Sequence, residues 1–238
     1  MSMSPDHTMP GVLGRRGFLT ASLAAVGGLA AMGGCNVVAP VAAIIAGPPK
    51  RDAQFILPKQ RTVVFVDDRR GVIPLRSRQV RRRIGSSVTN VLNTRDDLLP
   101  GLMIDAGDAI AMADARDRGG GLMSLGQLGQ EIGAEVLIAV RVDAFTLRPG
   151  GEPLPTAQAA VWILDIPGRT RLFPPMDARE PAVTVTASLD MGTGQDARNE
   201  SATIELFFAL ADALGVEIGK LFYRHEIKEV GARLGVRE

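Results

Sequence analysis

Cysteine occurs once in the 238 residues, at Cys35, and histidine twice, at His7 and His225. A lone thiol excludes any disulfide within the chain, and its place ahead of the main body excludes thiol chemistry there. The body holds one histidine, His225, read as a helix-end residue rather than as the base of a Ser–His pair, and it lacks companions for a metal site. Aromatic residues make up 4%, with Trp162 and Tyr223 the sole members of their kinds. That is meagre for stacking platforms on single-stranded nucleic acid. The formal charge is +1, so no global field draws the chain to nucleic acid. Lysine is confined to Lys50, Lys59, Lys220 and Lys228, and arginine dominates the body. No glycine-rich phosphate loop follows a parallel strand, so neither cofactor nor metal is expected.

What is present begins with an export signal over residues 1–34. Gly14-Arg15-Arg16-Gly17-Phe18-Leu19 precedes a short apolar run rich in Gly and Ala. A basic region before such a run is a secretory signal, too short and small-sided for a good membrane span. Arg15 and Arg16 followed by Phe18 and Leu19 resemble a twin-arginine signal, with the general secretory route as the alternative. Gly14 and Thr20 depart from the usual pattern. Met32-Gly33-Gly34-Cys35 then resembles a bacterial lipobox. On that resemblance Cys35 becomes the mature N-terminus and carries acyl chains, more than the single chain that gives only marginal anchoring. The expected place is the cell envelope, lipid-anchored and facing the periplasm. Asn36 after the cysteine leans toward the outer membrane.

Residues 35–60 form the lipidated N-terminus and a tether or edge-packing arm, broken by prolines at 40, 48, 49 and 58. An α/β domain follows over 61–226, with a C-terminal tail at 227–238. Its hub is Ser124 to Leu147. Ser124 and Gln127 have the form of a capping box, Leu125, Leu128 and Ile132 share a helical face, and Gly133 suits a left-handed cap. The run Val136-Leu137-Ile138-Ala139-Val140 lacks alternation, as in a strand covered on both faces.

Before the hub, Thr62–Val66 reads as a short buried strand. Ser77 can cap a helix carrying Val80, Ile84, Val88 and Leu92 and ending near Asn93-Thr94. Leu102–Ile104 is a second short strand, and Ala106–Arg116 a helix. After the hub, Ala157–Ile166 returns as a strand. Pro181–Leu189 alternates Val183, Val185, Ala187 and Leu189 with Thr184, Thr186 and Ser188, the pattern of a half-exposed antiparallel strand. The last helix runs from about Asp196 to Arg224 with one wide apolar stripe including Ile204, Phe207, Phe208, Leu214 and Ile218. The expected fold class is therefore α/β (α+β), a mixed sheet of about five strands packed by helices, with a long C-terminal helix.

Several clusters invite a functional reading. Asp67-Asp68 would suit an acidic phosphoacceptor pocket, but no lysine follows a late strand, so they read as turn residues. Gly192-Thr193-Gly194 before the last helix is a weak phosphate signal without a preceding parallel strand. Arg76, Arg78, Arg81, Arg82 and Arg83, close behind Arg69 and Arg70, form a candidate membrane or partner surface. The bland alternative is a solvated helix face with its arginines paired to carboxylates. At a helix N-terminus the dipole disfavours positive charge, so a purely stabilising role is less natural.

Val63–Val66, the Glu131-Ile132-Gly133-Ala134-Glu135-Val136-Leu137 junction, and Ile163-Leu164-Asp165-Ile166 before Gly168 together resemble one envelope family. It is the small α/β domain (TolB-N/CsgG-like) of the Tol–Pal translocation protein's N-terminal domain, the curli-secretion lipoprotein and lipoprotein activators of penicillin-binding proteins. The resemblance spans about residues 61 to 226. It implies a non-catalytic module that docks onto an envelope protein or assembles as a homo-oligomer. The chain departs from the family in having Val66-Asp67-Asp68 where Phe-Pro usually follows the first strand, and it has no barrel-forming insertion. The rival class is an envelope enzyme or nucleotide-binding protein using carboxylates at strand ends, with Asp105, Asp108 and Glu135 as its candidates.

Overall fold

The computed structural model describes residues 49–95, 97–147, 154–189 and 200–227. Arg15, Arg16, Phe18, Leu19, Cys35, the Gly192–Gly194 turn and the tail from residue 228 lie outside the described residues. The elements are β1 (Lys50–Arg51), β2 (Thr62–Asp67), α1 (Ser77–Asn93), β3 (Met103–Ile104), α2 (Ala106–Arg118) and α3 (Leu125–Ile132). They continue with β4 (Val136–Thr146), β5 (Thr156–Asp165), β6 (Thr170–Phe173), β7 (Val183–Ser188), α4 (Glu200–Gly219), a 3-10 turn (Lys220–Phe222) and β8 (His225–Glu226).

A six-stranded mixed sheet forms the centre, ordered β3-β2-β4-β5-β6, with β7 also on β5. The first three strands are parallel; β5, β6 and β7 join antiparallel. β6 and β7 share the outer side of β5, pairing with its C-terminal and N-terminal halves respectively. The strand beyond the expected five is β6. Its four residues are too few to show a period.

The hub forms for the reasons its residues supply. Ser124 and Gln127 close a full capping box, and Gly133 takes φ 71° at the end of α3. The chain then enters β4, whose residues Val136 to Val140 are all buried. The two crossovers, β2–α1–β3 and β3–α2–α3–β4, step across the sheet in opposite directions. α2 packs beside α1, where a Cβ on Gly85 would stand 2.5 Å from the Ala106 Cβ and Arg81 pairs with Asp114, while Gly129 of α3 lies on Ile166. α4 lies beside α1, and its Phe207 stacks on Phe145 of β4 at 5.6 Å.

The start of α1 corrects the sequence reading. Arg76, at φ 49°, is the residue before the helix and makes no side-chain cap, so Ser77 is the first helical residue. The Ser77 hydroxyl instead donates to Asp68 Oδ2 at 2.5 Å, while Asp68 Oδ1 accepts from Val72 N at 2.7 Å. As the first helical residue, Ser77 stands past the cap position, and its hydroxyl is a donor to the Asp68 carboxylate rather than an acceptor for the helix end. Asp67 accepts from Arg69 N. Both aspartates thus organise their own turn.

The last helix also differs in detail. It ends at Gly219 and tightens to a 3-10 turn before β8. Leu210, Leu214 and Ile218 are fully buried, but Phe208 is only half-buried and turns out of the core. Residues 49–57 pack along the end of α4. β1 pairs with β8, Gln54 N donates to Leu221 O, and Phe55 meets Phe173 at 5.3 Å.

Candidate functional site

α1 and α4 define the most developed surface of the domain. Arg83 pairs with Asp212, Gly215 lies against Ser87, Gly219 against Val91, and Arg95 over Tyr223. The partners advance together along both helices, so α1 and α4 run parallel. The approach is close because Gly215 and Gly219 stand four apart on one helical face. The Gly-x-x-x-Gly spacing is visible in the sequence, but spacing alone does not name the helix that packs on it. The two helices border a groove of about 790 Å³, lined among others by Arg82, Arg83, Ser87, Phe208, Asp212 and Val216.

The five arginines of the candidate surface separate into distinct situations. Arg81 Nη2 donates to Asp114 Oδ1 at 2.8 Å, and Arg78 pairs with the same carboxylate at 3.6 Å. Arg83 forks onto Asp212 with Nε at 2.9 Å and Nη2 at 2.7 Å, and its guanidinium stands 5.5 Å from the Phe208 ring. The bond to Asp212, aided by its charge, holds the Arg83 guanidinium above its ordinary pKa. Arg76 is exposed and donates to Gln79. Arg82 is exposed and, among the described residues, has no ion-pair partner. Neighbouring Arg69 and Arg70 pair with Asp117 and Asp143. The cluster is thus partly a set of structural ion pairs and partly free charge.

A second surface is the sheet face opposite α1 and α4. On the helix-covered side, Ala157, Ala159, Val161 and Ile163 of β5 are all fully buried. On the other side, Gln158 and Trp162 are half-buried, and Thr184, Thr186 and Ser188 of β7 are exposed. Arg141 stands 5.9 Å from the Trp162 ring and donates to Asp143 Oδ1 at 2.8 Å. The hydrogen bond to Asp143 outweighs burial and raises the Arg141 pKa. Ala160, between Gln158 and Trp162 on that side, is buried, so the partial opening at Trp162 comes from how β5 is covered rather than from alternation in its sequence.

The carboxylates named for the enzymatic rival occupy structural posts. Asp105 caps α2 by accepting from Gly107 N, and Asp108 lies in the first turn of the same helix. Glu135 Oε2 accepts from Arg61 N at 3.0 Å. None of the three lines the α1–α4 groove, or a second cavity of about 530 Å³ between α3 and the β5–β6 turn. Among the described residues, no group of three or more His, Cys, Asp or Glu is placed to hold a metal ion. No described helix is long and apolar enough to cross a membrane.

The described chain is thus a mixed α/β domain, its sheet packed by four helices among the described residues. No protein-family model and no curated protein matches the chain. Solved structures similar to it include a PelC dodecamer from Paraburkholderia phytofirmans, at 9% identity over 74% of this chain and 98% of that one, with TM-score 0.37. The hypothetical protein CT253 from Chlamydia trachomatis is 15% identical over 66% of this chain and 96% of that one, with TM-score 0.32. Lipoprotein GNA1162 from Neisseria meningitidis is 11% identical over 64% and 92%, with TM-score 0.31. Likenesses this distant carry no argument about partner or assembly.

Proposed function

We propose that this chain is a lipid-anchored, non-catalytic envelope protein whose α/β domain docks onto an envelope complex from the periplasmic side. The TolB-N/CsgG-like reading belongs to the same proposal and rests on the junction from Glu131 to Leu137. The observation that carries it is the half-open sheet face, where the sole tryptophan lies beside Arg141. Trp and Arg are the residues that most often anchor protein interfaces, and a flat sheet face offers area rather than a cleft. The lipobox reading of Cys35 supplies the anchor, and the thirteen residues 36–48 span at most roughly 45 Å when extended. The domain therefore works within reach of the membrane that holds it.

The test combines metabolic labelling with a fatty-acid probe and a crosslinked pull-down from membranes, on wild type and Cys35→Ala. Wild type carries the label, sediments with membranes and recovers a specific envelope partner; Cys35→Ala does none of these. An unlabelled mature wild-type protein sinks the anchor. Turnover of a small molecule by the purified domain sinks the non-catalytic reading.

A further inference from the structure

The chain joins the domain through an arm, residues 49–60, at the pole where α1 and α4 end, opposite Arg76 to Arg83. The hold on this arm is slight. None of residues 49–56 is buried, and Leu57 is the one arm residue in the core. Lys50 and Arg51 pair with Glu226 and His225, and among the described residues this two-stranded ribbon is separate from the central sheet. Such an isolated pair of strands is marginal in water. Pro49 O accepts from Ile227 N, and Leu221 O accepts from both Gln54 N at 2.8 Å and Phe55 N at 3.2 Å. The Asp52–Arg224 ion pair is 86% and 68% exposed on its two sides, so it adds little.

From Arg61 onward the attachment changes character. Arg61 O accepts from Glu135 N at 2.8 Å and from Val136 N at 3.1 Å, and Thr62 is fully buried in β2. The grip on the chain therefore rises abruptly between Gln60 and Arg61. Under the arm, a cavity of about 140 Å³ lies against β7 and the end of α4, lined among others by Arg51, Gln54, Thr184, Thr186, Glu217 and Lys220. Polar walls around such a volume admit water, so the seat of the arm is not close-packed. Segments with few buried apolar contacts and exposed backbone hydrogen bonds open at a small fraction of the cost of global unfolding.

From this we infer that the arm is a strap that detaches from the folded domain and serves as a second length of tether. The inference rests on the anchor proposed above and deepens it, because the distance at which the domain docks becomes adjustable. With the arm seated, residues 36–48 hold the domain within roughly 45 Å of Cys35. Released, the twelve residues 49–60 add up to about 40 Å, while the chain from β2 onward stays folded. A partner beyond the seated reach draws the arm off, and a nearer one leaves it in place.

Amide exchange on the full mature chain reads the release directly. The amides of Gln54, Phe55 and Ile227 are all bonded in the seated arm, so rapid exchange there requires opening. They are expected to exchange together, about a hundredfold or more faster than the amides of β4. Exchange as slow as in β4 means that the arm opens only with the whole domain, and overturns the inference. Force supplies a second readout, on the mature chain made without acyl chains and held by DNA handles at Cys35 and at Leu122→Cys, a site 77% exposed. The expected first event is a reversible gain in contour length of up to about 40 Å, ahead of unfolding of the body. Phe55→Ala, which removes the contact with Phe173, lowers the force of that event and leaves the force of global unfolding in place. Ile56→Ala, at a side chain 84% exposed, changes neither. A single unfolding event, a first gain well beyond the length of the arm, or a first event indifferent to Phe55→Ala overturns the inference. Protein that carries the fatty-acid label but lacks the early event fails the strap alone; an early event in protein that is unlabelled in cells fails the anchor alone.

Discussion

Gly215 of α4 lies so close to Ser87 of α1 that a Cβ on the glycine would stand 2.4 Å from the serine Cβ and 2.8 Å from the Ile84 carbonyl oxygen. The two helices carry most of the cover on one sheet face, so this contact sets how tightly the domain closes. It also sets the width of the groove beside it.

Gly215→Ala is therefore expected to destabilise the domain by about 1–3 kcal/mol, because backbone on the α1 side cannot yield to the methyl. Gly126→Ala in α3, with nothing within 4 Å of its Cβ, is expected to stabilise by about 0.5–1 kcal/mol through helix propensity. Urea unfolding midpoints of the two variants should move in opposite directions. Movement in the same direction would refute the close-packing account.

Asp68 is buried, accepts from Val72 N, and lies within 3.3 Å of Ile73 N. Asp68→Ala leaves these donors unsatisfied and should cost about 1–3 kcal/mol. Asp67→Ala removes a more exposed bond to Arg69 N and should cost clearly less. Thermal denaturation of both variants decides it; equal losses would count against the turn described here.

The capping box at Ser124 predicts a loss of about 1 kcal/mol for Ser124→Ala. Amide exchange should report the effect first in α3, at Gln127, whose N donates to Ser124 Oγ at 3.2 Å. Unchanged protection at Gln127 would show that the side-chain bond contributes nothing.

The Arg83–Asp212 pair is about half exposed on both sides, so a double-mutant cycle should give a coupling of only about 0.2–1 kcal/mol. Its pH dependence follows from the raised Arg83 pKa. A raised folded value means the contribution is fully present below the unfolded pKa and is lost only as pH rises through the folded one. Coupling should therefore be flat from about pH 6 to 9. A fall within that window, measured by the same cycle, would contradict the assignment.

Much of the architecture could be read before folding. The unbroken apolar run from Val136, the Ser124–Gln127 spacing and Gly133 each express a local rule, and each is met in β4 and α3. The alternation from Val183 likewise appears as β7, half covered. Less legible was β6, whose four residues are defined by pairing with β5 rather than by their own pattern. The start of α1 is not local either: Arg76, in the left-handed region, takes the cap position, and Ser77 inside the helix donates to Asp68, nine residues earlier. Phe208 falls on the apolar stripe by spacing yet turns out of the core, because helical spacing cannot tell which neighbour a side chain will face.

By itself the order of residues determined the address at Arg15-Arg16 and Cys35 as an expectation, and the strands and helices that follow from periodicity and caps. Those are short-range matters, governed by neighbours within a turn or two. Only the tertiary structure decided that α1 and α4 run parallel and that Arg83 meets Asp212, 129 positions further along the chain. It likewise decided that the arginines stand at the pole opposite the point where the chain joins the domain. Such relations depend on which elements meet in space, and no local preference encodes a meeting between segments so far apart.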